Sequence, residues 1–260
     1  MNFDWSLLAA PFVAGLLVLA THVPLGLEVL RRGIIFIDLA VAQVAALGVV
    51  GAHLMGWDAW GGEHGIGVQL AAAGAAVLAA LLLTWTEKRW PEIQEALIGL
   101  LFVLAASLGI LLLAGNPHGG EHLKELLAGQ ILWVGWDALP AGAAVYALVL
   151  ALWFFGRQRL GAIGFYLMFA LTVTVSVQWV GVFLVFASLI APAVATRPWS
   201  GRFRLAGAYA VGVIGYGGGL WASAQWDLPA GAAIVCALVG CVALLLLGAG
   251  LCAGQTRHVA

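Results

Sequence analysis

The stretch Leu30 to Gly51, LRRGIIFIDLAVAQVAALGVVG, decides how this chain is read. Two arginines and a glycine open it, and an apolar run of about the length of a bilayer crossing follows. Asp38 and Gln43 interrupt that run. An ionisable group at membrane depth is costly, so it points to a partner, a cavity or a pathway.

The rest of the chain is of the same kind. Of 260 residues, 63% are hydrophobic and 9% are charged, and the mean hydropathy is +1.05. Soluble domains are about one-quarter charged, so this composition cannot cover a water-facing surface. The net charge of -1 gives no reason to expect nucleic acid as a partner. Cys236, Cys241 and Cys252 all fall in the last apolar segment, which suits inert buried thiols rather than a disulfide framework or a zinc knuckle. The first residues, MNFDWS, carry an acid and no base, so the first apolar segment is expected as a mature helix and not a cleaved signal.

Apolar segments fall near 7–30, 34–56, 66–86, 95–115, 131–155, 163–178, 180–196, 205–224 and 229–251. Only helices and closed barrels satisfy their backbone in lipid, and strand alternation is absent from the sequence. The expected fold is an all-α polytopic bundle of about eight to nine membrane segments, one transmembrane domain over 7–251. Trp57, Trp60, Trp85, Trp90, Trp133, Trp136, Trp199 and Trp226 lie at segment ends, as an interfacial belt requires.

Bases set the orientation. Arg31 and Arg32, Lys88 and Arg89, Arg157 and Arg159, then Arg197, Arg202 and Arg204 mark four connections as cytoplasmic. The N-terminus then lies outside and the C-terminus inside. Residues 163–196 have bases on both flanks, so two short passes meeting near Gln178, Trp179 and Gly181 are favoured over one long tilted helix.

The polar residues give several candidate sites. Glu28 precedes the arginines and is expected to pair with Arg31 or Arg32, as is Asp38; Pro24 frees a backbone carbonyl one turn before it. His22 suits an interhelical hydrogen bond. Asp38 and Gln43 are separated by roughly 140° around a regular helix and do not share a face. Glu92 and Glu95 follow Pro91 and are expected to complement the start of their own helix. His118, Glu121 and His122, with Glu63 and His64, offer donors that suit zinc or manganese, although loops collect polar residues in any case. The first three also match H-x-x-E-H, a pattern of zinc hydrolases, but Pro117, Gly119 and Gly120 oppose the continuous helix it needs.

Taken in order, these features resemble the membrane permease subunit of bacterial ATP-binding-cassette importers for zinc, manganese and iron. Four blocks carry the likeness: Arg31 to Gly48; Gln94-Glu-Ala-Leu-Ile-Gly99 running on to Gly109; Leu126-Leu-Ala-Gly-Gln-Ile-Leu132; and Thr172 to Arg197 with Ser176, Gln178, Gly181, Pro192 and Ala195. Asp227-Leu-Pro-Ala-Gly231 is similar to the family's loop before its last helix. Aligned without gaps, Leu39 and Gln43 stand where the family has an Asp and a His implied to touch the metal, and Asp38 stands one place earlier. The family's cytoplasmic coupling segment, which rests on the ATPase, is shortened here to Gly156–Gly164.

The resemblance implies a non-enzymatic transport subunit in the bacterial inner membrane, with ATP hydrolysis on a separate partner chain. It also implies a second permease copy, an external metal-binding protein and no permanently bound cofactor, the divalent metal being the cargo; the His and Glu donors of the outer loops put zinc first and manganese second. Asp38, Leu39, Gln43 and Glu28 would line or border the pathway, and Arg157, Arg159 and Gly164 would face the ATPase. The outer His and Glu residues would receive the ion. The alternatives are an ATPase-independent carrier or channel and, more remotely, a membrane metalloprotease.

Overall fold

In hydrocarbon a backbone amide finds no partner but a carbonyl of its own segment, so each apolar stretch closes on itself as helix. The computed structural model describes residues 6–57, 65–113 and 129–257, with side chains over 8–57, 65–113, 129–156 and 161–247. Within these residues the helices are α1 (Ser6–Arg32), α2 (Ile37–Leu54), α3 (Ile66–Arg89), α4 (Gln94–Leu113), α5 (Leu139–Ala151), α6 (Arg157–Ala195), α7 (Gly201–Trp226) and α8 (Ala230–Arg257). Among the described residues there is no strand, and eight stretches are long and apolar enough to cross a membrane.

The segment expected over 131–155 begins as helix only at Leu139. Before it the chain makes a short 3-10 turn, Ile131–Trp133, with Trp133 and Trp136 exposed. Gly135 and Asp137 favour a bend there, and Pro140 sits in the first helical turn, where its missing N–H costs nothing. A π-helical turn, Leu152–Gly156, joins α5 to α6.

The α6 segment is too long for a single crossing: its apolar part, Gly161–Ala195, would reach roughly 50 Å as a straight helix against about 30 Å of hydrocarbon. Gly181 breaks it, at φ 75° and ψ 166°, a conformation essentially closed to any residue with a Cβ. The leg 161–180 begins beside the arginines of α1, where the Arg32 guanidinium lies 4.2 Å over the Phe165 ring. It ends at the other side of the bundle, where Gln178 and Gln69 of early α3 exchange amide hydrogen bonds. The leg 182–195 then returns. Its Leu189 carbonyl packs on Gly26, and Thr196 packs on Gly207 in the first turns of α7. Helix α7 lies antiparallel to α1, with Gly212 against Leu19 and Gly15 against Tyr216, so its start is level with Arg31 and Arg32. The two short passes expected from the flanking bases are therefore the two legs of α6.

Small residues bring the helices close. A Cβ on Gly48 would meet the Ala71 carbonyl oxygen at 2.7 Å, and one on Gly219 would meet the Ile234 Cα at 2.3 Å. Close approach of this kind substitutes for the hydrophobic drive that lipid removes. Gly51 faces open space and takes no part. Pro24 leaves the Ala20 carbonyl without its helical donor, and the Tyr209 hydroxyl of α7 donates to it at 2.9 Å.

Candidate functional site

Helix α2 presents two faces with different chemistry. Leu39 and Gln43, four residues apart and on one face, line a hollow of about 480 Å³ together with Phe102 of α4, Phe186 and Val194 of the return leg and Val239 of α8. Among the described residues Gln43 is the one polar side chain in that lining. Asp38 is not part of it. The hollow opens at the side of the bundle, where Phe183 and Val239 are exposed.

Asp38 is buried at 1% exposure, and neither carboxylate oxygen has a hydrogen-bond partner. The expected pair with Arg31 or Arg32 does not form, because both arginines donate to Glu28 instead. Arg31 Nε and Arg32 Nε each lie 2.9 Å from a Glu28 oxygen. Glu28 is 4% exposed and sits one helical turn before both bases, so its burial is compensated locally. Arg32 also reaches Glu87 of α3 at 3.8 Å. Glu28 is thus held in a charge cluster joining α1, α3 and α6, away from the hollow.

Glu95 stands in the first turn of α4, as expected, and its Oε1 also accepts the Phe36 N–H at 3.2 Å, so that it caps α2 from across the junction, a second role its own helix does not suggest. One signal was present. Phe36 precedes α2 with no side chain able to cap, so an acceptor had to come from elsewhere. His22 also differs from expectation: its Nδ1 lies 2.9 Å from the Val18 carbonyl of its own helix, not of a neighbour. Gln69, at the opposite end, is the partner of Gln178, a contact between residues 109 apart that leaves no local pattern.

His118, Glu121, His122, Glu63 and His64 lie outside the described residues, and so do the side chains of Arg157 and Arg159. Gly164 is buried next to Phe165, just after Gly161, which adopts φ 58° and ψ -147°. Among the described residues no group of three or more His, Cys, Asp or Glu side chains is placed to hold a metal ion. Among the described residues this hollow is apolar but for the Gln43 amide, and the acids Asp38 and Glu95 stand at the start of α2 and not in its lining.

A family model described as ABC 3 transport family matches residues 4–166 and 159–249. The manganese transport system membrane protein of Halalkalibacterium halodurans is 27% identical over 253 residues, spanning 89% of this chain and 84% of that protein. Among solved structures, PsaBC from Streptococcus pneumoniae in complex with Fab matches with a TM-score of 0.70 and 22% identity, covering 94% of this chain and 91% of that one. A metal-chelate type ABC transporter in an inward-facing conformation matches with a TM-score of 0.62 and 15% identity, covering 92% and 85%.

Proposed function

The chain belongs to the ABC 3 transport family, as a multi-pass membrane permease of the metal-importing kind, and from that premise we propose that it carries manganese or zinc inward through the hollow bordered by Leu39 and Gln43. The observation that carries this reading is the placement of Leu39 and Gln43 on one wall of a hollow that also touches α4, the return leg of α6 and α8. A passage needs such a wall on mobile elements, and it needs weak contacts that release the ion as readily as they receive it. A single amide is a contact of that sort.

Manganese is the first ion to test. The relative from Halalkalibacterium halodurans is named for it, and an oxygen donor such as the Gln43 carbonyl suits manganese better than zinc. The loop histidines that favour zinc lie outside the described residues. A second copy of this chain, facing the open side of the hollow, would complete the passage. ATP would be hydrolysed by a separate subunit near the segment Gly156–Gly164, and an external binding protein would deliver the ion. The chain itself performs no covalent chemistry.

The test is reconstitution in lipid vesicles with an ATPase subunit and the delivery protein from the same source, followed by manganese and zinc uptake. Uptake that requires ATP, with ATP turnover rising when the loaded delivery protein is added, is the expected result. Uptake that continues without ATP or any associated ATPase overturns the importer reading in favour of a carrier or channel.

A further inference from the structure

Where α2 begins against α4, two acids come close. Asp38 is 1% exposed and neither oxygen is hydrogen-bonded. Glu95 uses one oxygen to accept the Phe36 N–H, and its Oε2 is buried without a partner. Glu95 reaches the amide two residues before Asp38 and carries the same sign of charge. Arg31 and Arg32, the nearest bases in sequence, are engaged on Glu28, and Arg32 also on Glu87. The amides of Leu39 and of Asp38 itself lean toward the carboxyl without reaching full hydrogen-bond geometry, so they lend it only the partial positive charge of a helix N-terminus. Two carboxyl groups with three unpartnered buried oxygens must be neutralised, by a proton or by a cation that both can reach.

We propose that Asp38 and Glu95 form a two-carboxylate site for one hard divalent cation at the junction of α2 and α4. The donors are all oxygen, which favours an ion of the manganese or magnesium type over one that seeks thiolate or imidazole. Two carboxylates leave coordination positions for water, as such ions retain. Glu95 is only half buried, so the site opens to solvent at the arginine-bearing end. It also adjoins the hollow: Phe36, whose amide Glu95 holds, stacks on Phe186 with ring centroids 6.3 Å apart, and Phe186 lines the hollow. A metal leaving the hollow toward the cytoplasm meets these acids next. That placement on an exit route rests on the import reading; the site itself does not.

The experiment uses the full chain in lipid nanodiscs, titrated with Mn²⁺ and followed by the paramagnetic resonance signal of the free aqua ion. Wild type, Asp38→Asn, Glu95→Gln and the double variant are compared. Both substitutions keep shape and remove charge, and Asn at 38 also relieves an unpaired buried carboxylate, so the metal-free variants should melt no lower than wild type. We expect one Mn²⁺ per chain, and an affinity loss in each single variant larger than the roughly 10-fold that losing an outer-shell partner costs. Mn²⁺ should raise the melting temperature of wild type and not of Asp38→Asn. Equal Mn²⁺ affinity in wild type and both single variants overturns the proposal, as does no binding to wild type at about 1 mM, the weak end of protein carboxylate sites. The two readings fail separately. Binding through both acids in a transporter that moves no metal removes import and leaves the site. Metal uptake with binding indifferent to both substitutions removes the site alone.

Discussion

Gly129 lies with its backbone directly on the Val180–Gly181 peptide: a Cβ at 129 would stand 2.1 Å from the Val180 carbonyl carbon and 2.4 Å from the Gly181 nitrogen. Both glycines have positive φ, 68° and 75°. The turn between the legs of α6 is therefore clamped by a second segment that also has no room for a side chain. Gly181→Ala should cost about 1–3 kcal/mol from backbone strain alone. Gly129→Ala should cost at least as much, because its obstacle is backbone and cannot swing aside. The double variant should lose less than the sum, since both changes open the same contact. Unfolding in detergent, monitored by circular dichroism, reads all three.

Arg31 and Arg32 both hold Glu28, but their surroundings differ. Arg31 is 65% exposed in its side chain, and Arg32 is 25% exposed, stacks on Phe165 and reaches Glu87. Arg31→Ala should leave the melting temperature nearly unchanged. Arg32→Ala should cost about 1–3 kcal/mol, because it removes a charged hydrogen bond, a ring contact and a link to α3 together. Arg32→Lys should recover only part of this, as an ammonium cannot stack flat on Phe165 or present the guanidinium's fork of donors. A full recovery by Lys would mean that charge alone matters at this position.

The parts of this fold that hydropathy and charge dictate were legible in the sequence, and the parts that depend on a distant partner were not. The bases on both sides of 163–196 required a return, and Gly181 marked the place for it. Pro24 marked the free carbonyl of Ala20, although nothing local named Tyr209 as its donor, 189 residues away. Glu95 was legible as an acid in the first turn of its own helix, where it stands, but not as the cap of α2, because its bond to Phe36 spans 59 residues and leaves no local pattern. The competition for Arg31 and Arg32 had two acids as contenders, Glu28 and Asp38. Helical spacing decided it for Glu28, while the turn at Gly33 carries Asp38 away. Leu39 and Gln43 were found through four-residue spacing and resemblance, but the hollow they line needs α6 and α8 to close it.

The bond from Tyr209 to Ala20 supplies a third prediction. Tyr209→Phe leaves the Ala20 carbonyl without a donor and should cost about 0.5–2 kcal/mol, the range of interhelical hydrogen bonds in membranes. Pro24→Ala returns an N–H to the helix, which can take the same carbonyl. In the Pro24→Ala background Tyr209→Phe should therefore cost less than half as much. Thermal unfolding of the four proteins in one detergent gives the coupling. Additive losses would mean that Tyr209 acts through its ring packing and not through the hydroxyl.

The last prediction concerns the hollow itself. Leu39 and Gln43 share a face of α2, so Leu39→Asp with Gln43→His would set a carboxylate and an imidazole on the same wall. Such a pair binds zinc more firmly than one amide can. Passage requires release as well as capture, so a tighter site slows exit once it is filled. In reconstituted vesicles the double variant should take up zinc with a lower half-saturating concentration and a lower maximal rate than wild type. Gln43→Leu should reduce manganese uptake several-fold while leaving the melting temperature and the basal ATP turnover of the assembled transporter unchanged. Uptake that is indifferent to all of these changes would move the passage away from the hollow, and no readjustment of α2 alone could bring it back.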